Sequence, residues 1–146
     1  LWRTQRLIPV DRSGSDTRSL REAIREVRSG GCIGIFPEGR ITTPPREIRP
    51  FLAGVGVLVA KSRAPVLVTW VSGTPDTNQM RESLLTPSRA HVAYLGLHRF
   101  DGERDSRAIA EKLRAIIHEA SGWPLNDEVL PPGGPEMDAP AEGLPA

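Results

Sequence analysis

The sequence is short of the residues that build disulfide frameworks and metal sites. Among 146 residues it has one cysteine, Cys32, and three histidines. A disulfide within the chain is therefore impossible, and the cysteine and histidines show no metal-ligand spacing. Because Cys32 lies in an apolar run, we predict that it is a small buried residue, with a reactive thiol as the alternative.

Lysine is scarce as well. Only Lys61 and Lys112 are lysines, and every other basic residue is an arginine. With 19 basic and 18 acidic residues the formal net charge is +1, so the overall charge predicts no nucleic-acid partner. The arginine bias has two interpretations. It reflects a biased genome, or a few of the arginines bind anions, because the guanidinium fork matches the geometry of phosphate.

Long apolar runs are missing. The longest, Phe51–Ala60, has ten residues, about half of the ~20 that span a bilayer. The first ten residues, LWRTQRLIPV, lack the apolar region of a signal peptide. Any membrane contact of these residues is therefore expected to be peripheral. Because the chain opens on Leu1 and reaches a predicted strand almost at once, we expect it to be a fragment whose upstream part is missing.

Apolar periodicity divides the chain into alternating strands and helices. Four strands are predicted, at Leu7–Val10, Cys32–Phe36, Pro65–Val71 and His91–Leu97. Three helices are predicted: one from a cap at Ser15 or Asp16 to Gly30-Gly31, one over Ala53–Ser62, and one from a cap at Asp105 or Ser106. A loop over Ser72–Arg89 holds one helical turn near Met80–Leu85. This alternation predicts the α/β class, with a mostly parallel sheet flanked by helices.

The composition changes after Trp123. The last sixteen residues, PPGGPEMDAPAEGLPA, hold eight of the chain's glycines and prolines. We interpret residues 1–124 as part of one domain and residues 125–146 as a Pro/Gly-rich disordered tail.

A stiff loop follows the second predicted strand, in IFPEGRITTPPREIRPF at residues 35–51. Pro37 fixes the strand exit by locking its own φ, and Gly39 allows a positive φ or the close approach of a ligand. Glu38 is therefore a positioned carboxylate, able to accept a hydrogen bond from a hydroxyl or to orient Arg12 or Arg40. The alternative is an ordinary turn with a solvated acid.

Arg12 follows Asp11, just after the first predicted strand. In α/β sheets, ligands gather at the carboxyl ends of strands, so Arg12 would lie beside the stiff loop if the two strands are neighbours. An arginine there would clamp a phosphate with two hydrogen bonds; the alternative is a surface ion pair of little weight. The sequence thus predicts an anion-binding edge, whose candidate substrate-binding residues are Arg12, Glu38, Gly39 and Arg40.

Spacing identifies no catalytic residue. The segment HRFDGE places His98 near Glu103, as a base near an orienting acid, but it lies in a predicted loop without a nucleophile or a metal partner. The sequence has no Walker loop and no G-x-S-x-G elbow. We expect no cofactor and no metal.

Several stretches taken together resemble the glycerophospholipid acyltransferase family, which includes the lysophosphatidic acid (1-acyl-glycerol-3-phosphate) acyltransferases. RLIPVDR at residues 6–12 resembles the family's second block, and IFPEGR at residues 35–40 resembles the third. RPFLAGVGVLVAKSRAPVLVTW at residues 49–70 resembles the region that leads through a helix to the Ala-Pro of the fourth block. The order and spacing of the blocks also agree, and the resemblance covers roughly residues 5–75.

Some positions depart from the family pattern. Arg6 stands where the second block usually begins with glycine, and Pro9 replaces a common phenylalanine. The family's first block, a histidine followed after four residues by an aspartate, lies upstream of the second, and no histidine precedes Leu7 here. His98 and Glu103 imitate its spacing downstream of the fourth block, and we interpret them as a decoy.

The resemblance implies separate residues for catalysis and for substrate binding. The first-block histidine acts as the general base on a glycerol hydroxyl, which attacks the thioester of acyl-coenzyme A or acyl carrier protein. Arg12, Glu38 and Gly39 bind the glycerol phosphate end of the acceptor, and Pro65 is structural. Residues 1–124 would be the C-terminal portion of an acyltransferase domain that works peripherally at the cytoplasmic face of a membrane.

Three functions follow as hypotheses. The first is acyl transfer to a lysophospholipid such as 1-acyl-glycerol-3-phosphate in phospholipid biosynthesis, with these residues inactive without the upstream block. The second is a non-catalytic acyltransferase-like module that binds a lipid phosphate. The third is an unrelated α/β phosphate-binding protein. A His-x4-Asp block encoded upstream of Leu1 would favour the first over the second.

Overall fold

The part of the chain that the structure describes includes three complete helices and a small sheet. The computed structural model describes residues 7–10, 17–39, 46–75, 77 and 85–129. Within these ranges the elements with complete bounds are α1 (Thr17–Arg28), α2 (Ala53–Ser62), β1 (Val66–Ser72), β2 (His91–His98) and α3 (Ser106–Ser121). The helices flank the sheet, so the mixed helix and strand class predicted from the sequence is confirmed.

The two strands pair in antiparallel orientation. Their register runs from Val66 opposite His98 to Ser72 opposite His91. It is interrupted by a bulge, at which two residues of β2, Leu95 and Gly96, stand opposite a single residue of β1. Gly96 has a φ of 107°, a value that side chains disfavour and that glycine adopts readily at bulges.

The mostly parallel sheet is not confirmed, because the sheet of the described residues has only these two antiparallel strands. Residues 7–10 and 32–36, both predicted to be strands, are not in strand conformation. The second was also predicted to be buried, yet Phe36 is 87% exposed and Cys32 is exposed. The prediction of a buried Cys32 is therefore wrong. Apolar character alone does not make a strand, which needs backbone partners on a neighbour.

The three predicted helices are confirmed, whereas the predicted cap of the first, at Ser15 or Asp16, lies outside the described residues. The observed bounds of α2 match the predicted Ala53–Ser62, and Asp105 is the N-cap of α3, accepting hydrogen bonds from the backbone amides of Arg107 and Ala108. Helix ends follow local sequence because capping residues satisfy backbone groups within a few positions of themselves. The predicted turn near Met80–Leu85 falls almost wholly outside the described residues.

The core lies between the sheet and the two later helices. Its buried members are Val59 of α2, Val68 of β1, and Ile109 and Leu113 of α3. Partly buried apolar side chains surround this cluster, among them Phe51, Leu95 and Phe100. In the described part of the chain, no helix has the length and apolar character to cross a membrane.

A glycine sets the distance between α2 and α3. A Cβ at Gly56 would overlap the backbone carbonyl oxygen of Ser106 at the start of α3, whereas a Cβ at Gly54, in the same helix, would meet nothing within 4 Å. Substitutions at the two glycines therefore distinguish the effect of close packing from the general effect of glycine on helix stability.

We expect Gly56→Ala to destabilise the fold by about 1–3 kcal/mol, because α3 must move away or strain. Gly54→Ala is the matched control, and it should stabilise by up to ~1 kcal/mol through helix propensity alone. Urea unfolding followed by circular dichroism measures both. Equal shifts of the two variants in the same direction would contradict a close contact at Gly56.

Candidate functional site

The turn at Pro37–Gly39 is the described part of the predicted anion-binding edge. The Gly39 amide donates to the Phe36 carbonyl at 3.1 Å, and the Leu52 amide donates to the Pro37 carbonyl at 2.9 Å. Gly39 has a φ of 70°, and a Cβ there would collide with Cδ1 of Leu52. The backbone conformation thus favours glycine, and a side chain at this position would also have to displace Leu52.

Glu38 is held from the far side of its own loop. Its Oε1 accepts a hydrogen bond from the backbone amide of Arg49 at 3.3 Å, and the side chain is half-buried. The carboxylate is therefore positioned, as predicted, although the partner found is a main-chain amide eleven residues later. The half-buried placement leaves one side of the turn open to solvent.

The segment that holds the turn is fastened to the residues that follow α3. Ile48, only 1% exposed, forms a parallel bridge with Leu125. Its amide donates to the Pro124 carbonyl and its carbonyl accepts from the Asn126 amide, both at 3.0 Å. The Asn126 side chain also donates to Oε2 of Glu47 at 2.7 Å. Leu125 and Asn126 thus contact residues of the predicted domain. The predicted boundary after residue 124 had rested on composition alone.

A buried arginine of α3 joins these two segments. Arg114 is 5% exposed, and its Nη2 donates to the Ile48 carbonyl at 3.0 Å and to the Asn126 carbonyl at 3.1 Å. Its Nη1 contacts Oδ1 of Asp127 at 2.8 Å, a carboxylate whose side chain is 83% exposed. Burying a guanidinium is costly unless its protons are hydrogen-bonded, so these acceptors are what makes the burial tolerable.

A second buried arginine also contacts the residues that follow α3. Arg49, also 5% exposed, directs Nη1 to the carboxylate of Glu128 at 3.1 Å and to its carbonyl at 3.3 Å. We call the assembly of residues 47–49, Arg114 and residues 124–128 the arginine brace. Because the amide of Arg49 also donates to Glu38, the brace fixes the position of the candidate site.

Two of the four predicted site residues lie outside the described residues. They are Arg12 and Arg40, and the expected closeness of Arg12 to Glu38 stays a prediction. Glu38 and Gly39 lie in one turn, and their assignment to substrate binding also stays a prediction. The arrangement that is described offers a fixed carboxylate next to a glycine backbone, which suits the binding of hydroxyl and amide groups.

His98 and Glu103, interpreted as a decoy, each have other partners. The His98 Nε2 lies 3.1 Å from the Leu95 carbonyl. Glu103 accepts from Lys112 Nζ at 2.9 Å and from the Asp105 amide at 3.2 Å. The hydrogen bond from Lys112, followed by that from Asp105, lowers the pKa of Glu103. A carboxylate with a lowered pKa stays ionised at neutral pH and is a poor proton acceptor.

The region that the structure describes contains no cluster of three or more metal-ligating side chains drawn from His, Cys, Asp and Glu. Its third histidine, His118, directs Nδ1 to the Trp123 carbonyl at 2.7 Å. Trp123 in turn packs edge-on against Trp70 of β1, with ring centroids 4.6 Å apart. His118 therefore lies at the turn that leads from α3 into the brace.

Sequence reasoning missed the brace, although one signal for it was present. Arg114 lies one turn after Ala110 on the stripe of α3 that carries the core residues Ile109 and Leu113. A charged residue on an otherwise buried stripe indicates either a buried ion pair or a break in the stripe. Its partners could not be read from the sequence, because Ile48 lies 66 positions away.

Comparison with known proteins agrees with the geometry of this half of the chain. The turn, α1, α2 and β1 form a helix and strand unit that presents a fixed carboxylate after a proline. The family model described as Acyltransferase matches residues 1–72, which end with β1. These residues, 72 of the chain's 146, match the acyltransferase family, which confirms the resemblance found from the sequence blocks.

The match supports acyltransferase function in general. No curated protein and no solved structure matches the chain. Strand β2, helix α3 and the C-terminal half of the brace lie beyond the matched residues.

We expect Gly39→Ala to cost about 1–2 kcal/mol of stability from the left-handed backbone alone, plus the clash with Leu52. Gly102→Ala is the matched control, because Gly102 also has a positive φ of 88° but nothing within 4 Å of its added Cβ. The difference between the two variants in the free energy of unfolding, measured with urea, gives the cost of the clash. Adding Leu52→Ala to Gly39→Ala should remove that difference, and its persistence would show that Leu52 is not the obstacle.

We expect Arg114→Met to destabilise the protein by about 1.5–3 kcal/mol, the range for hydrogen bonds to charged groups. The loss should be local as well: the amides of Ile48 and Asn126 should exchange with deuterium faster. Arg107→Met, on the exposed side of the same helix, serves as the control and should stay within about 0.5 kcal/mol of the parent. Unchanged exchange at both amides in Arg114→Met would contradict the role of Arg114 in joining the segments.

Proposed function

We propose that the domain containing these residues transfers a fatty acyl group from acyl-coenzyme A or acyl carrier protein to the hydroxyl of a lysophospholipid such as 1-acyl-glycerol-3-phosphate, as a step of phospholipid biosynthesis. The observation that carries the proposal is the placement of Glu38 and Gly39. They stand at the third-block position of a matched acyltransferase segment, in a turn fixed by Arg49 and Leu52.

Glu38 and Gly39 then serve acceptor binding. The carboxylate oxygens of Glu38 accept hydrogen bonds from the acceptor, while Gly39 lets the acceptor approach the backbone. Arg12 and Arg40 supply the cationic partners of the acceptor phosphate, because a guanidinium binds phosphate with two parallel hydrogen bonds. Precise positioning of an acceptor hydroxyl contributes strongly to rate, since misplacement is costly.

The general base is not among the residues assigned here. The three histidines of the sequence, His91, His98 and His118, all follow the matched segment. In the family pattern the base belongs to a His-x4-Asp block before the second block. We therefore propose that the 146 residues alone transfer acyl groups poorly, since a general base contributes on the order of 10²–10⁴-fold to rate.

A second function fits the same observation. A matched segment without a histidine also suits a non-catalytic module that holds a lipid phosphate through the same turn. The two functions share the acceptor site and differ in chemistry, so one assay separates them. We propose a position at the cytoplasmic face of a membrane for either, because the acceptor is a lipid.

The test is an acyl-transfer assay on the complete open reading frame, with a radiolabelled acyl-coenzyme A and 1-acyl-glycerol-3-phosphate. We expect Glu38→Ala and Arg12→Ala to raise the KM for the acceptor at least tenfold, because each removes an acceptor contact, and to leave the KM for the donor unchanged. Glu22→Ala, an exposed carboxylate of α1, is the control.

Three outcomes are informative. Transfer that depends on Glu38 and Arg12 supports the enzyme. Binding of the phosphorylated lipid without transfer supports the module. Normal acceptor kinetics in both variants, with unfolding curves like the parent, would show that the acceptor site lies elsewhere.

A further inference from the structure

Helix α1 separates its charges by sign. Projected at 3.6 residues per turn, its apolar side chains Leu20, Ile24 and Val27 form one stripe. Next to this stripe, on one flank, lie the arginines of the helix: Arg18, Arg21, Arg25 and Arg28. The two glutamates, Glu22 and Glu26, lie on the opposite flank. The helix therefore offers an apolar stripe bordered by cations on one side only.

The fold covers this stripe only in part. Leu20, Ile24 and Val27 are only partly buried, and the one buried residue of α1 is Ser19. An open groove of about 400 Å³ runs between α1 and α2, with Leu20, Ile24 and Val57 as its apolar walls. Its charged lining consists of Arg21, Arg28 and Lys61, so the groove opens toward the arginine flank of α1 and away from the glutamates.

A second open cavity continues the first. It has a volume of about 470 Å³ and shares Arg28 and Lys61 with the groove. Arg63 and Arg104 complete its charged lining. Among the described residues, no carboxylate lines either cavity, although acidic residues are nearly as numerous as basic ones in the chain. Five cations thus surround one continuous surface that has an apolar groove at one end.

One hydrogen bond joins the two helices that form this surface. Nη2 of Arg28 donates to the Lys61 carbonyl at 2.7 Å, which fastens the end of α1 to the last turn of α2. Arg21, Lys61, Arg63 and Arg104 are all exposed. Their charges therefore face solvent, where a large anionic partner can reach them.

We propose that this surface, formed by α1, the end of α2 and Arg104, docks the protein on a bilayer that contains anionic phospholipid. The cations contact the headgroups, and Leu20, Ile24 and Val57 enter the boundary between headgroups and acyl chains. An amphipathic helix with arginine along its polar side and a shallow apolar groove suits this boundary, and cations near an anionic leaflet add attraction. A soluble anion would satisfy the charges and leave the apolar groove empty.

The inference deepens the proposed function by assigning the membrane contact to a surface of this chain. Its test is chosen to be independent of acyl transfer. The 146-residue chain is mixed with vesicles of phosphatidylcholine alone, or of phosphatidylcholine with 30 mol% (about a third) phosphatidylglycerol, a composition that gives a negative surface. Binding is measured by flotation at low and at high salt, without donor or acceptor.

We expect binding to the anionic vesicles that weakens at high salt, because salt screens exposed charges. Arg21→Gln/Lys61→Gln should weaken it by about 25-fold, from ~1 kcal/mol for each cation near the surface. Arg63→Gln/Arg104→Gln is a second variant of the same surface, in case the first fails to fold. Arg89→Gln/Arg107→Gln carries the same change of net charge at exposed positions outside the two cavities and should bind as the parent does.

The apolar groove has its own variant. Ile24→Asn should weaken vesicle binding while leaving its salt dependence intact. Loss of binding in the Arg89/Arg107 control equal to that in Arg21→Gln/Lys61→Gln would overturn the proposal, because net charge alone would then explain it. Binding of coenzyme A or inorganic phosphate, weakened by Arg21→Gln/Lys61→Gln, with no vesicle binding, would overturn it in favour of a soluble anion.

Failure of this inference and failure of the proposed function are distinguishable. Glu38→Ala lies outside the docking surface and should float with vesicles as the parent does, whatever happens to acyl transfer. Conversely, the parent protein could fail to bind vesicles and still show normal acceptor kinetics on detergent-dispersed lipid. That result would overturn the docking surface and leave the proposed function intact.

Discussion

The guanidinium of Arg114 is the group on which the arrangement of the candidate site depends. It is buried in α3, so its protons need acceptors inside the protein, and it finds them on the carbonyls of Ile48 and Asn126 and on the carboxylate of Asp127. Because each acceptor belongs to a different position of the chain, satisfying one side chain brings two segments and a helix into one arrangement. Arg49 extends that arrangement, since its amide holds Glu38 while its side chain reaches Glu128.

This brace has a consequence for the acyltransferase segment. The family match ends at residue 72, yet Ile48, which follows the Glu38-Gly39 turn in the sequence, is held by α3 and by residues 124–126. The matched half therefore carries the residues proposed to bind substrate, and the remaining half supplies contacts to the segment that holds Glu38. If the proposed role of Glu38 is correct, variation in α3 alters acceptor binding without touching a proposed site residue, because the position of a carboxylate matters for recognition.

The arginine richness of the chain divides into two uses. Arg49 and Arg114 are buried and hydrogen-bonded to carbonyls and carboxylates, which makes them structural. The arginines along α1, with Lys61 and Arg63 of α2 and its cap, face solvent around an apolar groove. Arginine suits both because its planar fork holds several acceptors at once and its charge persists at any physiological pH. The abundance of arginine thus supplies both buried structural contacts and an exposed cationic surface.

By itself the sequence determined the helices, the Pro37–Gly39 turn and the acyltransferase blocks. Helix caps such as Asp105, and turn residues such as Gly39, act on backbone groups within a few positions, so their effects can be read locally. The tertiary structure decided that the sheet is antiparallel, that Cys32 is exposed, and that Arg114 holds the loop after the turn. Strand pairing and buried polar contacts join residues tens of positions apart, and which partners meet is settled only when the whole chain packs.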